Sequence, residues 1–406
     1  MTSQPLLHYY DYDKSTPRDG LSSAQSSPEM LSSAVIHKHI EDVITELNPR
    51  LKTEGWSLNR FVLTPKDNAY PAHFYGMVLH EPVNSKTFVK ITFYIAYSTW
   101  DGRCLHVDQL PPREKNTVKG VLLLQILGKV AIKLGCRRLL WMQTGDPDWS
   151  FVNLIKDTTS TTTTESSATI KPETLDEWLL LKMDRNAMES YAGSQQDSPV
   201  EAKTAIALDR LAIETKIQKV CADLQSSSSS STNLVWRLVV ENNNNNDSQM
   251  EKDANSIFKM VQGLAEYENE PDAVQCRSKD YQLDGSGPHP LFYCLLLEDT
   301  TKRNTCGMAF FYFGYNNKDG RFLYLEDLYL EPAYRRKGGG TLALKSLAKI
   351  GISLECSHLL WTALDWNQPA LNLYSKMGAV VQDGLKISRY KDDELHRFAN
   401  ANIAIK

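Results

Sequence analysis

The feature that most constrains this chain is a long internal repeat. FYIAYSTWDGRCL, which begins at Phe93, matches FYFGYNNKDGRFL, which begins at Phe311, 218 residues further on. CRRLLW from Cys136 matches CSHLLW from Cys356, 220 residues further on. Because solenoid repeats run to roughly 20–50 residues, a period of this length indicates two duplicated domains in tandem.

Both halves of the chain predict the same order of elements. An amphipathic helix comes first, then a Phe-Tyr strand, a hairpin around Asp-Gly, a helix rich in Leu, Ala and Lys, and a buried strand. The helices and the last strand cover 35–47, 121–134 and 139–142 in the first half, and 257–267, 341–354 and 359–363 in the second. Helices interleaved with strands predict an α/β (α+β) fold, with a mixed β-sheet flanked by helices in each half.

Low-complexity stretches set the predicted domain boundaries. Residues 1–30 are rich in Ser, Pro and Asp and are predicted to form a disordered tail. The first domain is expected over 31–195 and the second over 233–400. Residues 196–232 are predicted to be a linker that contains an amphipathic helix and a Ser run.

Composition excludes several classes of protein. Lys and Arg number 45 against 49 Asp and Glu, which lacks the basic excess of a nucleic-acid-binding protein. No apolar run approaches the ~20 residues of a membrane-spanning helix, and the first residues do not resemble a secretory signal. The seven cysteines contain no C-x-x-C pair, so we expect a reducing, cytoplasmic location and no metal site.

The clearest chemical signal is LYLEDLYLEPAYRRKGGGTLALKSLAKIGI in the second half. A strand that ends near Leu330 leads into a basic, Gly-rich loop, and a helix is predicted from Thr341. Glycines let the backbone approach a ligand closely, and the N–H groups of a first helical turn attract phosphate oxygens. The R-x-x-G-x-G pattern taken alone fits a ligand-free turn between strand and helix equally well.

The segment that follows makes the pattern more specific. GLAEYENE, HPLFYCLLLED, FLYLED, RRKGGG, LDWNQPALNLY and MGA occur in this order between residues 234 and 397. Together they resemble the GNAT acetyltransferase superfamily, and within it the spermidine/spermine (diamine) N-acetyltransferase family with its thialysine-acetylating branch. The resemblance implies a mixed sheet splayed at its middle, with the pantetheine arm of acetyl-CoA in the gap.

The resemblance also implies roles for individual residues. Tyr374 would protonate the departing thiolate, and Glu326 would deprotonate the substrate ammonium through a water molecule. Acetyl-CoA would be bound by a strand edge, a loop and a helix start: Leu328, Tyr329, Leu330, Arg335, Arg336, Lys337, Gly338, Gly339, Gly340, Thr341, Asn367, Gln368, Pro369 and Ala370. The amine would contact Tyr267, Glu268, Glu326, Asp327 and Asp383.

Elementary chemistry agrees with these roles. An alkylammonium with a pKa of about 10.4 must lose a proton before it attacks a thioester, which suits a carboxylate. A thiolate leaving group with a pKa of about 8.5 needs a nearby proton donor such as a phenol. Outside this motif context, Tyr374 would be read as an aromatic ring packing a helix end, and Glu326 as a solvated strand carboxylate.

The first half departs from the pattern at several positions. Val118 replaces Gly338, and a β-branched residue resists the positive φ that such turns often need. Asp108 aligns with Glu326, but Leu154 or Ile155 falls where Tyr374 would be. The first half is therefore predicted to be a degenerate GNAT domain that does not turn over acetyl-CoA.

A role for the first half follows from the family, which is typically a homodimer with a shared substrate pocket. Two tryptophans of that pocket are replaced in the second half by Lys318 and Leu385. The first half has Trp100, Asp176 and Trp178, so the two halves are predicted to form an internal pseudo-dimer that shares these residues. The alternative is that both tryptophans are core or interface aromatics. Further oligomerisation is left open.

The predicted function is acetyl-CoA-dependent N-acetylation of a primary amine on a small polyamine, diamine or thialysine-like substrate. Lys318, Leu385 and Asn316 weaken the prediction of a polyamine. Two alternatives stay open: a protein lysine or N-terminal acetyltransferase, and a non-catalytic acyl-CoA-binding or scaffold protein.

Overall fold

A computed structural model describes residues 31–53, 55–61, 74–80, 88–109, 117–145, 155–156, 170–193, 209–227, 233–241, 247–316 and 318–403. The predicted tail over 1–30, Leu154 and residues 196–208 and 228–232 of the predicted linker lie outside these residues. Among the described residues, no helix is long and apolar enough to cross a membrane.

The helices are α1 (Ser33–Thr53), α2 (Val118–Lys133), α3 (Arg185–Ala192), α4 (Arg210–Ser227), α5 (Asp247–Tyr267), α6 (Ser278–Asp284), α7 (Gly339–Ser353), α8 (Gln368–Lys376) and α9 (Asp392–Asn400). The strands are β1 (Ser57–Phe61), β2 (Phe74–His80), β3 (Phe88–Ser98), β4 (Gly102–Gln109), β5 (Arg138–Thr144), β6 (Ile155–Lys156), β7 (Glu173–Thr174), β8 (Trp178–Asp184), β9 (Leu234–Leu238), β10 (Tyr293–Asp299), β11 (Asn304–Asn316), β12 (Gly320–Leu330), β13 (His358–Leu364), β14 (Val380–Val381), β15 (Leu385–Lys391) and β16 (Asn402–Ile403).

In the described residues, fourteen of these strands form two seven-stranded mixed sheets, which confirms the predicted fold class, and β6 pairs with β16 in a separate two-stranded sheet. The first sheet has the order β1-β2-β3-β4-β5-β15-β7, and the second has the order β14-β8-β13-β12-β11-β10-β9. Each sheet contains one parallel pair, β4 with β5 or β12 with β13. A parallel pair requires a crossover connection, which α2 provides in the first sheet and α7 in the second.

The two halves exchange their last long strand and helix. β8 lies near the end of the first half in sequence but pairs along its whole length with β13 of the second. β15 lies near the end of the second half in sequence but pairs with β5 of the first. The helices go with their strands: Met188 of α3 packs near Gly351 of α7, and Ala399 of α9 packs near Gly128 of α2. Neither sheet is therefore built from one contiguous half of the sequence.

The hydrophobic core follows this exchange. One cluster joins Leu105 and Leu127 of the first half with Ile257 and Phe310 of the second. The other cluster contains Leu181 of β8 among residues of the second half. Full burial of a Leu, Ile or Phe side chain stabilises the fold by about 1.5–3 kcal/mol, so the shared core holds the two sheets together.

Candidate active site

Glu326 lies at a β-bulge in β12. Leu325 pairs with Phe311 and Asp327 with Phe310, so Glu326 is the extra residue between two ladder pairs. The first half repeats this irregularity at Asp108, the residue that aligns with Glu326. A bulge changes the direction of the side chain that it carries, and such bulges are common next to active sites.

β12 and β13 separate just beyond this bulge. The two strands pair only from Leu323 to Leu325 on β12, opposite Leu359 to Trp361 on β13. On its other edge, β12 stays paired with β11 as far as Leu330. The β13 side of residues 326–330 therefore offers backbone N–H and C=O groups to a ligand, and the predicted cofactor residues Leu328, Tyr329 and Leu330 lie on this open edge.

The loop after β12 is shaped for close backbone approach. Gly338 caps α7 with a φ of 83°, and within the described part of the chain no side chain caps the N–H groups of the first turn. A Cβ on Gly339 would lie 2.8 Å from a methyl carbon of Leu330, so any side chain there would force the Leu330 side chain to move. Free N–H groups at a helix N-terminus attract phosphate oxygens.

Charged and aromatic side chains flank this helix start. Arg335 donates from Nε to the Leu330 carbonyl at 2.9 Å, and its guanidinium lies 4.8 Å from the ring centre of Tyr267. Lys337 lies over the Tyr334 ring, and Arg336 adopts a φ of 59°. The predicted cofactor residues from Arg335 to Thr341 thus form one continuous basic loop and helix start.

In the first half, the N-terminus of the equivalent helix, α2, is capped by a side chain. Thr117 caps α2, and its hydroxyl accepts a hydrogen bond from the Gly120 N–H at 3.3 Å. In the second half, Gly338 has no side chain that could accept such a bond. A donor that α7 leaves open is consequently occupied in α2, which supports the interpretation of the first half as degenerate.

α8 carries the predicted proton donor. Asn367 precedes the helix, with Gln368, Pro369 and Ala370 in its first turn. Tyr374 is 9% exposed and packs edge-on against Trp361 at 5.1 Å. Burial, with smaller effects from the nearby Glu268 and Tyr267, raises the pKa of Tyr374 to about 12. The phenol is protonated at neutral pH, as a general acid must be.

A cavity of about 700 Å³ lies between the two halves. Six of the residues predicted to contact the amine line this cavity: Trp100, Asp176, Trp178, Glu268, Glu326 and Asp327. The structure does not bring Tyr267 or Asp383 to it. Tyr267 lies on the cofactor side, where its hydroxyl donates to Asn367 Oδ1 at 3.3 Å, and Asp383 is exposed in the turn before β15.

Lys318 and Leu385, which occupy the places of the two family tryptophans, do not line the cavity either. Lys318 is exposed in the turn between β11 and β12. Leu385 packs against the hydrophobic core. The positive charge of Lys318 is therefore no obstacle to a cationic substrate in this cavity.

The cavity wall is strongly acidic. Seven carboxyl side chains line it against three cationic ones: Glu173, Asp176, Glu177, Glu268, Glu270, Glu326 and Asp327 against Arg138, Arg389 and Lys391. Burial and the neighbouring Asp327 raise the pKa of Glu268 to about 8. Burial also raises the pKa of Glu326 and Asp327, and the charge of Asp327 raises that of Glu326 further. Part of this acidic cluster is protonated at neutral pH and can accept or release protons.

Sequence reasoning missed several cavity residues: His106, Arg138, Tyr312, Tyr324, Trp366, Arg389 and Lys391. Trp366 had a usable signal, because it lies inside the LDWNQPALNLY segment that carries the resemblance. Arg138 and Arg389 had none, because β5 and β15 become neighbours only through the strand exchange. Among the described residues, no group of three or more His, Cys, Asp or Glu side chains could hold a metal ion.

Comparison with known proteins gives a consistent result. Residues 256–379 match the acetyltransferase (GNAT) family. Over 135 residues the chain is 36% identical to a thialysine N-epsilon-acetyltransferase of Sus scrofa, a match that covers 32% of this chain and 79% of that protein. Over 151 residues it is 35% identical to the human spermidine/spermine N(1)-acetyltransferase-like protein 1, which covers 35% of this chain but only 22% of that longer protein.

Solved structures include a tandem GNAT protein from the clavulanic acid biosynthesis pathway. The match covers 89% of this chain and 97% of that one, at 10% sequence identity and a TM-score of 0.39. At this score the likeness supports no argument about the site.

Proposed function

This chain belongs to the acetyltransferase (GNAT) family, and we propose on that premise that it transfers an acetyl group from acetyl-CoA to a primary amine of a small polyamine, diamine or thialysine-like substrate. Catalysis is assigned to the domain over 233–400, completed by the exchanged strand β8. The domain over 31–195 acts as the other half of an internal pseudo-dimer. The free, buried state of all seven cysteines supports a cytoplasmic location.

The residues present fit acetyl-CoA. The basic loop from Arg335 to Lys337 and the open first turn of α7 suit its pyrophosphate. The open edge of β12 over 328–330 suits the amide groups of its pantetheine arm. When bound, acetyl-CoA supplies an acetyl thioester, and a backbone N–H of this edge would donate to the thioester oxygen as negative charge develops there.

The proton transfers are assigned to two side chains. Glu326, with its pKa raised by burial, accepts the proton of the substrate ammonium and makes the amine nucleophilic. Tyr374, protonated at neutral pH, donates its hydroxyl proton to the departing thiolate. The two groups belong to different elements, Glu326 to the bulge of β12 and Tyr374 to α8, where it packs against Trp361 of β13.

The substrate class follows from the cavity. An excess of carboxyl groups favours a cation, and aromatic rings such as those of Trp100 and Trp178 favour an alkylammonium chain. The names of the relatives, thialysine and spermidine/spermine acetyltransferases, support the same class. The observation that carries the proposal is the Glu326 bulge, which lies at the open strand edge and faces this acidic cavity.

The test is acetyl-CoA-dependent release of CoA by the purified full chain with spermidine, putrescine, thialysine, lysine and a histone-tail peptide. We expect turnover with at least one small amine. Tyr374→Phe should lower kcat by about 10²–10⁴-fold while the dissociation constant of acetyl-CoA stays unchanged, because only the transferred proton is lost. Turnover of the peptide alone would instead indicate a protein acetyltransferase, and no turnover with acetyl-CoA still bound would indicate a binding protein.

A further inference from the structure

The turn between β3 and β4 of the first half is inserted into the second half. The carbonyl of Trp100 accepts hydrogen bonds from the backbone N–H groups of Gln275 and Cys276, at 2.7 and 3.0 Å. The hydroxyl of Tyr281 donates to the carbonyl of Thr99 at 2.5 Å. Three hydrogen bonds to backbone carbonyl groups of this turn thus hold it against the segment that follows α5. The Thr99 side chain in the turn is fully buried.

The inserted turn contacts the carboxylates next to the bulge. Thr99 donates a hydrogen bond from its hydroxyl to Oδ2 of Asp327. Hydrogen bonding from the Ser98 side chain and the Thr99 backbone holds the pKa of Glu326 below the level that burial alone would set. The second half therefore does not complete the surroundings of its own proposed base; the first half does so.

Many other titratable groups face this carboxylate pair. The charged ones are Glu268, Glu270 and Arg138, with Asp101 paired to Arg138 behind them. The neutral ones are the phenols Tyr94, Tyr281, Tyr312 and Tyr324 and the thiols Cys104 and Cys294. Burial opposes ionisation of both carboxyls, and the charge of Asp327 also opposes that of Glu326, whereas Arg138 favours ionisation of both.

We propose that Thr99 of the first half is a positioning residue for the acetyl transfer of the second half: its hydroxyl orients Asp327 and keeps it ionised beside Glu326. The proposal rests on the proposed function, since it concerns the ionisation of the proposed base. It gives the degenerate half a defined part in the reaction, through a turn rather than through a cofactor site of its own.

The sign of the effect follows from the hydrogen bond. A donor to a carboxylate stabilises its charged form, so the Thr99 hydroxyl lowers the pKa of Asp327. Loss of the hydroxyl leaves the coupled pair with a higher affinity for protons. The active form needs both carboxyls ionised, Glu326 as the base and Asp327 as the partner of the substrate ammonium. Because the pair now keeps its last proton to higher pH, the acidic limb of the pH profile of kcat/KM should move to higher pH.

The experiment compares three variants of the full chain over pH 5–10 with the amine that wild type acetylates. Thr99→Val, which has the same shape without the hydroxyl, should move the acidic limb to higher pH by about one unit. At pH values on this acidic limb, kcat/KM should be about tenfold lower than that of wild type. Thr99→Ser, which retains the donor, should restore the wild-type limb. Thr92→Val is the matched control, because Thr92 donates at 2.9 Å to Asp108 at the equivalent bulge, and it should not move the limb.

The outcomes separate this proposal from the proposed function. If the acidic limb of kcat/KM lies at the wild-type pH in both Thr99→Val and Thr99→Ser, Thr99 has no positioning role, although the acetyltransferase assignment stands. If wild type acetylates none of the amines, that assignment fails, and the pH dependence of putrescine binding, measured by calorimetry, tests Thr99 instead. Should Thr99→Val not unfold cooperatively, Thr99→Ala takes its place. A wild type that neither acetylates nor binds an amine overturns both proposals.

Discussion

Single residues in this site combine burial with an unusual affinity for protons. Glu326 lies at a bulge, where the backbone turns its side chain out of the regular ladder. The same position removes the carboxyl from bulk water, and the charge of Asp327 opposes its ionisation, so its pKa is raised. A carboxyl with raised pKa is a stronger base once it is deprotonated, which suits the removal of a proton from an ammonium.

Glu326→Gln should lower kcat/KM by about 10²–10⁴-fold, because the amide cannot accept the ammonium proton. In wild type, kcat/KM should fall as the pH drops through the raised pKa of Glu326, since the protonated form is inactive. The variant should lose this pH dependence. Stopped-time CoA release at several pH values measures both effects.

Asp108→Asn is the matched control, because Asp108 occupies the equivalent bulge of the first half. Its activity should stay within about twofold of wild type, as expected for a side chain outside the chemistry. Equal losses in both variants would contradict the assignment of the base to the second half.

At the scale of elements, the start of α7 differs from the start of α2 in one respect that matters for binding. Gly338 adopts a left-handed conformation and leaves the first-turn N–H groups open, whereas Thr117 uses its side chain to satisfy one of them. The left-handed region is costly for residues with a Cβ atom. The start of α7 therefore has the open N–H groups that the proposed phosphate site requires, whereas one N–H group at the start of α2 is already bonded.

Gly338→Ala should raise the dissociation constant of acetyl-CoA about tenfold, because the Cβ atom disfavours the left-handed turn by about 1–2 kcal/mol. Gly384→Ala is the control, since Gly384 has a φ of 74° and no atom near its added Cβ, but lies outside the loop. Both variants should lose similar stability in urea unfolding, and only Gly338→Ala should lose affinity in calorimetry. Equal affinities would contradict the assignment of this loop to the cofactor.

At the scale of the whole molecule, the exchanged strands make the two halves interdependent. β8 completes the second sheet and β15 completes the first. Arg103 and Asp284 form a buried ion pair across the halves at 2.7 Å, and Lys391 of the second half pairs with the buried Asp101 of the first at 3.1 Å. Loss of one partner from such a pair leaves an uncompensated buried charge, at a cost of about 3–5 kcal/mol.

Residues 1–200 and 201–406, expressed as separate chains, should each fail to unfold cooperatively, because each would lack a strand inside its sheet and would expose the shared core. Co-expression of the two pieces is the control and should give a 1:1 complex with a cooperative thermal transition. Calorimetry and size-exclusion chromatography measure these results. A monomeric 201–406 piece that unfolds cooperatively and acetylates an amine would show that the halves are independent.

The sequence by itself predicts the features of the protein that depend on local residue patterns. The repeat predicted two similar mixed sheets, and the structure confirms this class because strand and helix periodicity depend on near neighbours. The Gly-rich loop from Arg335 to Gly340 and the carboxylate Glu326 were assigned by their motifs, and these assignments stay predictions. Val118 in place of Gly338 predicts that the first half lacks the cofactor loop, and this also stays a prediction.

Only the tertiary structure decided which strands share a sheet. The apolar residues of β8 and β15 favour a strand in either sheet, so no local signal predicts their exchange. The contact of Thr99 with Asp327 and the cavity position of Arg138 likewise depend on how the two halves pack together. The sequence specifies which chemical group each residue carries. The partners of that group across the interface between the two halves depend on long-range packing, which no short segment specifies.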